Sequence, residues 1–198
     1  MAGTPYLVDS NVLLRWIKPD DRDYPLVVSA IDATLQRGAV FCYTSQNVAE
    51  FWNTCTRPLD RNGYGLSPQE ARRAQFFEDK LRLLPDSLAV HQEWRKLLVV
   101  RNVSGVHVHD ARLVAAMRVH GVGRILTFNE KDFVRYTDIE AVNPRTISAK
   151  HPRNRSMNNP HLLARHHPAR LFIPPRLYLA KNDGCRTNLP FVAAESAH

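Results

Sequence analysis

Asp9 closes the apolar run Tyr6 to Val8, and Glu50 lies between one and two turns into the helical pattern that follows the run Ala39 to Tyr43. Asp110 opens the helical pattern His109 to Gly121, while Asn129, with Asp132 one turn further, follows the run Arg124 to Phe128. Taken singly, each has an ordinary explanation. Asp9 or Ser10 can cap a helix, Asp110 can favour a helix dipole, Glu50 can sit on a solvated face and Asn129 can form a turn. Taken together they share a place, just after a strand or near the start of the next helix, where open parallel sheets bind ligands. Carboxylates brought to one place repel one another, so they take up protons or recruit a cation. No cysteine and no properly spaced histidine pair accompanies them, so the ligand set reads as oxygen only, which suits Mg²⁺ or Mn²⁺. The chemistry natural to such a site is phosphodiester hydrolysis, in which one or two ions about 4 Å apart activate a water and stabilise the leaving oxygen.

The elements that must position these residues are legible as alternating short and long patterns. Tyr6 to Val8, Ala39 to Tyr43, Arg124 to Phe128 and Ile139 to Val142 read as strands, the first three buried on both faces. Ser67-Pro68-Gln69-Glu70 is a capping box with proline at the first helical position and predicts a helix through about Leu84. Further helices are expected over Ser87 to Val103 and His109 to Gly121, with Thr44 or Ser45 capping the helix that carries Glu50. Strands alternating with helices imply right-handed crossovers and a mainly parallel central sheet covered on both sides, a three-layer α/β/α architecture.

The chain has 198 residues, enough for one domain with an appendage, and a formal net charge of +8. That charge is unevenly placed. Beyond Pro144 there are nine Arg or Lys against only Asp183 and Glu195, which leaves the rest nearly neutral. The expected organisation is therefore a domain over residues 1–144 and a basic, Pro- and His-rich tail over 145–198 that cannot bury enough apolar surface to order itself. The tail reads as a nucleic-acid-binding arm, as a metal tract around His161, His166 and His167, or as an extension without a role. Cys42, Cys55 and Cys185 are too scattered for a disulfide framework or a zinc site. No apolar run approaches the roughly 20 residues of a membrane span, and no signal-peptide pattern opens the chain, so a cytoplasmic protein is expected.

Asp9 in Leu7-Val8-Asp9-Ser10-Asn11, Glu50 in Asn47-Val48-Ala49-Glu50-Phe51, Asp110 in His109-Asp110-Ala111-Arg112, and Asn129 with Asp132 after Leu126-Thr127-Phe128 resemble the four motifs of the PIN domain. Order, strand context and spacing are similar to the small toxin-like branch typified by VapC, over about Pro5 to Val142. The resemblance implies a Mg²⁺- or Mn²⁺-dependent ribonuclease acting on RNA, with a partner antitoxin that silences it and a homodimer formed through apolar helical surface. It implies that Asp9, Glu50 and Asp110 hold the first metal, with Asn129 and Asp132 at the fourth motif, and that Ser10 and Thr127 orient water at the metal. Asparagine stands at residue 129 where many relatives have aspartate, so that position offers a carbonyl but no charge. Asn11, Arg15 and Arg112 are the substrate-binding candidates near these motifs, the two arginines as phosphate contacts. Two other functions stay open on the sequence: a PIN-like module that binds nucleic acid or protein without cutting, and a 5′-nuclease acting on DNA.

Overall fold

The computed structural model describes residues 3–149, and among them the chain forms five parallel strands in one sheet. The strands are β1 (Thr4–Val8), β2 (Ala39–Thr44), β3 (Arg82–Leu84), β4 (Arg124–Leu126) and β5 (Glu140–Val142), in the order β3-β2-β1-β4-β5. Pairing runs Leu7 to Cys42 and Leu7 to Ile125, with Thr44 to Leu84 and Leu126 to Val142 at the outer pairs. The chain winds outward from β1 to β3, then crosses back to β4, so its direction reverses between β1 and β4. The carboxyl ends of those two strands flank the crevice that such a switch point opens.

Helices α1 (Ser10–Trp16), α2 (Tyr24–Gln36), α3 (Ser45–Thr56) and α4 (Pro68–Ala74) belong to the crossovers on one side of that switch, and α5 (Leu88–Val100), α6 (His107–Val119) and α7 (Glu130–Phe133) to those on the other. Alternation along the strands feeds both layers. Leu7 and Cys42 join Val90, Leu97, Val114 and Met117 in one buried cluster. Tyr43 turns the other way, edge-on to Phe77, which also meets Phe51. This is the three-layer α/β/α fold expected from the strand and helix alternation.

One expectation fails. The helix from Ser67 does not reach Leu84: α4 ends at Ala74, a 3₁₀ turn covers Phe76–Asp79, and Arg82–Leu84 is the edge strand β3. The aromatic pair explains the break, since Phe77 must reach Tyr43 and Phe51 while Phe76 packs edge-on to Trp16. No straight helix presents adjacent residues to two separate partners in this way. The start of the helix is as read, with Ser67 and Glu70 forming a reciprocal capping box. Ser67→Ala is expected to lower stability by about 1 kcal/mol, a shift of roughly 2–4 °C in a thermal melt.

The chain also continues past Pro144. Helix α8 (Pro144–Ala149) packs on α2, with Ile147 buried and the Arg145 guanidinium on Asp23. The rest of the basic tail, its histidines and Cys185 lie outside the described residues. Among the described residues no helix is long and apolar enough to cross a membrane.

Candidate active site

β1 hands its last sheet hydrogen bond to Asp9, whose N–H donates to the Leu126 carbonyl (3.0 Å). Asp9 is the N-cap residue of α1 by position, with its carbonyl accepting from Val12 and Leu13, but its carboxylate caps nothing. Instead Asp9 Oδ2 accepts from the buried Thr127 hydroxyl (2.6 Å) and from Asn11 Nδ2 (2.7 Å). Asn11 Oδ1 in turn accepts from the Phe128 N–H (3.2 Å), so the segments leaving β1 and β4 are stapled across the switch point.

Glu50 approaches from α3 and is gripped at both oxygens. Ser10 donates its hydroxyl to Oε2 (2.6 Å) and Gln46, one turn earlier, donates to Oε1 (2.7 Å). The same Gln46 amide reaches the His109 carbonyl (3.1 Å), which ties α3 to α6. Ser10 is itself held by the wholly buried Asn47, whose Nδ2 donates to the serine oxygen (3.0 Å) while its Oδ1 accepts from Thr44. Gln46 Oε1 is a buried acceptor with no donor.

A third group stands at the start of α6. His107 Nδ1 lies 3.2 Å from Asp110 Oδ2, and one ligand atom from each of His107, Asp110 and Asp132 falls within 4.8 Å of the others. The carboxylates feel one another. Burial first, then the charges of Glu50 and Asp110, push the Asp9 carboxyl up to about 6, against the opposing hydrogen bonds from Thr127 and Asn11. Burial also raises Asp110, helped by the charges of Asp132 and Glu50 and opposed by His107. Asp9, Glu50, Asp110 and Asp132 therefore form one electrostatic group, assembled from the crossovers on both sides of the switch.

Among the remaining residues singled out in the sequence, the Ser10 and Thr127 hydroxyls donate inward to Glu50 and Asp9. Asn129 is exposed, and its backbone N–H, donating to Thr127 Oγ1 (2.9 Å), buttresses the hydroxyl that holds Asp9. Arg112 turns away from Asp110 to pair with Asp86 (3.2 Å). Arg15 donates to the Asn11 carbonyl (2.7 Å) and lies over the Phe128 ring. Sequence reasoning missed His107, Gln46 and Asn47. The signals were present, because His107 precedes Asp110 by three residues and Gln46 precedes Glu50 by four, both of which are one helical turn. A ring nitrogen that could ligate a cation thus stands beside the carboxylate oxygens.

A profile of the PIN domain matches residues 6–139 of the sequence. The chain belongs to the PIN domain family. Its fold is similar to a chain of VapBC-1 from nontypeable Haemophilus influenzae, with a TM-score of 0.52, 14% identity, and 72% of this chain and 99% of that one covered. It is similar at a TM-score of 0.50 and 15% identity to a chain of VapBC2 from Rickettsia felis bound to a promoter DNA fragment, covering 71% of this chain and 98% of that one. A toxin-antitoxin complex from Klebsiella pneumoniae gives the same score and identity, with 70% and 97% covered. Comparison with curated proteins finds no matching sequence.

Proposed function

We propose that this PIN-domain protein is a divalent-metal-dependent endoribonuclease and the toxin half of a toxin-antitoxin pair. The observation that carries the reading is the Asp9 carboxyl, pushed up to about 6 by burial and by Glu50 and Asp110. A fold that brings Glu50 and Asp132 close enough to two half-buried or buried acids to help raise them suits a cation, which offsets that repulsion. The donors fit a hard divalent ion: one atom each from His107, Asp110 and Asp132 lies within 4.8 Å of the others, and the Asp9 and Glu50 carboxylates are near enough to act on Asp110 or on each other. Mg²⁺ or Mn²⁺ at such a site supplies Lewis acidity, lowering the pKa of a water and offsetting charge on phosphate oxygens.

The chain's own residues do the positioning. Thr127 and Asn11 fix the Asp9 carboxylate, and Ser10 and Gln46 fix that of Glu50, so both acids are held before substrate arrives. Asp132 supplies near Asp110 the charge that Asn129 does not. An antitoxin partner is supported by the similar fold of the toxin-antitoxin complex. A homodimer would use the exposed Leu88, Val99 and Val100 of α5, since the nearby apolar residues Phe77, Leu81 and Leu97 are buried within the chain.

Incubation of a structured RNA with the protein tests the reading. Cleavage is expected with Mg²⁺ or Mn²⁺ and none with EDTA, and metal at about 100 times its Kd should stabilise the protein by about 2.7 kcal/mol. Cutting of flap DNA but not RNA would reassign the enzyme to DNA. The exposed, uncharged Asn129 keeps a second reading in view, a module that binds without cutting. No cleavage of either substrate, with no calorimetric heat on adding metal, would establish that one.

A further inference from the structure

We propose that Arg145 is a substrate-positioning residue, which holds the RNA phosphate next to the one that is cut. The inference rests on the ribonuclease reading for its substrate. RNA must approach a group of four carboxylates, so its affinity has to come from cations at the border of that group. Arg145 stands there by an unbroken chain of contacts. Asn11 bonds the Asp9 carboxylate and the Phe128 N–H, and the Phe128 ring carries two guanidinium groups, Arg15 at 4.7 Å and Arg145 at 5.0 Å from its centroid.

The two arginines differ in what remains available. Arg15 is turned inward, bonded to the Asn11 carbonyl and 3.6 Å from the buried Asp23 carboxylate. Arg145 gives Nη2 to both oxygens of Asp23 (3.1 and 3.0 Å), while its side chain stays 51% exposed. Nη2 is the atom those contacts use, so among the described residues the Nε–H and Nη1 edges stay open, each able to donate to a phosphate oxygen from a group that keeps its full charge. Asp23 and the ring hold the guanidinium in place, so little rotamer freedom is lost when phosphate arrives. One buried acid among three arginines, Arg15, Arg22 and Arg145, also leaves cations in excess beside the acidic site.

The test uses the full chain and a labelled single-stranded RNA, with anisotropy measured in EDTA and cleavage measured with metal. Arg145→Gln should weaken binding about tenfold, as loss of one charge-assisted contact does, and should lower the slope of log affinity against log salt by about 0.7. In cleavage the loss should appear in KM rather than kcat. Arg145→Lys should restore the salt slope, because the charge returns, but not the full affinity, because an ammonium lacks the planar group held between Phe128 and Asp23. A purely structural ion pair would move the melting temperature and leave the RNA affinity and slope alone. Unchanged affinity and slope in Arg145→Gln therefore overturn the proposal, whatever the melt shows. Arg145-dependent RNA binding without cleavage would sink the ribonuclease reading and keep this site, whereas cleavage with an unaltered KM in Arg145→Gln would do the reverse. No RNA binding by the wild-type chain would end both.

Discussion

Asp9→Asn is expected to raise the stability of the metal-free protein at pH 7 by about 3 kcal/mol while reducing RNA cleavage by a factor of 1,000 or more, on the order of one catalytic group's worth. The stability gain follows from linkage. The folded carboxyl titrates at about 6 against an ordinary 3.8, chiefly because of burial and then because of Glu50 and Asp110. Between those pH values the native state holds the proton more tightly than the unfolded chain, so stability falls as pH rises through the window. The cost is complete above about pH 6 and absent below about pH 4. An amide removes it and keeps an oxygen for the Thr127 and Asn11 donors that Oδ2 now accepts. Melts in EDTA should thus show the variant roughly 6–12 °C above wild type at pH 7, with the gap closing toward pH 4. Adding Mg²⁺ should narrow it too, because only the wild type has the full set of carboxylates. A variant that melts lower at pH 7 would mean that Asp9 serves the fold rather than the cation.

The skeleton of this site was legible because parallel sheets advertise themselves. Short runs of Tyr6 to Val8 and Arg124 to Phe128, each stopping on a polar residue, can hardly be anything but buried strands whose ends face a crevice. What was not legible was anything decided by tertiary contact. β3 is three residues at a sheet edge, indistinguishable in sequence from the end of the amphipathic stretch before it, and only Phe77 reaching Tyr43 forces the helix to stop early. Pro144 was read as an end, yet proline at the first helical position is also a start, and α8 carries Arg145 to Asp23. His107 was passed over because the helix was begun at His109. The structure starts α6 two residues earlier, after Gly105 takes a left-handed turn at φ +59°, and this brings His107 beside Asp110.

The same distinction explains why Asn47, which sequence reasoning passed over, should be as consequential as an acid. Its side chain does two things at once with no exposed surface. Oδ1 accepts from the Thr44 N–H and hydroxyl, closing the N-terminus of α3, and Nδ2 donates to Ser10, whose hydroxyl then points at Glu50. Asn47→Ala leaves the Thr44 N–H and hydroxyl without their acceptor and removes the reciprocal half of the capping box, while the Thr44 hydroxyl still accepts from the N–H of residue 47; the loss is about 3 kcal/mol, or roughly 6–12 °C. It also frees Ser10 to rotate, so Glu50 loses one of its two restraints and cleavage should fall by at least about tenfold even below the melting range. Asn47→Asp separates the two roles. It keeps the acceptor for Thr44 but has no donor for Ser10, and it sets another carboxylate near Glu50. Burial and that repulsion would raise the new group's pKa, so Asn47→Asp should melt close to wild type in acid and lose stability as pH rises. An Asn47→Ala protein that melts and cuts like wild type would show that Thr44 and Ser10 find other partners, and that Glu50 is placed by α3 and Gln46 alone.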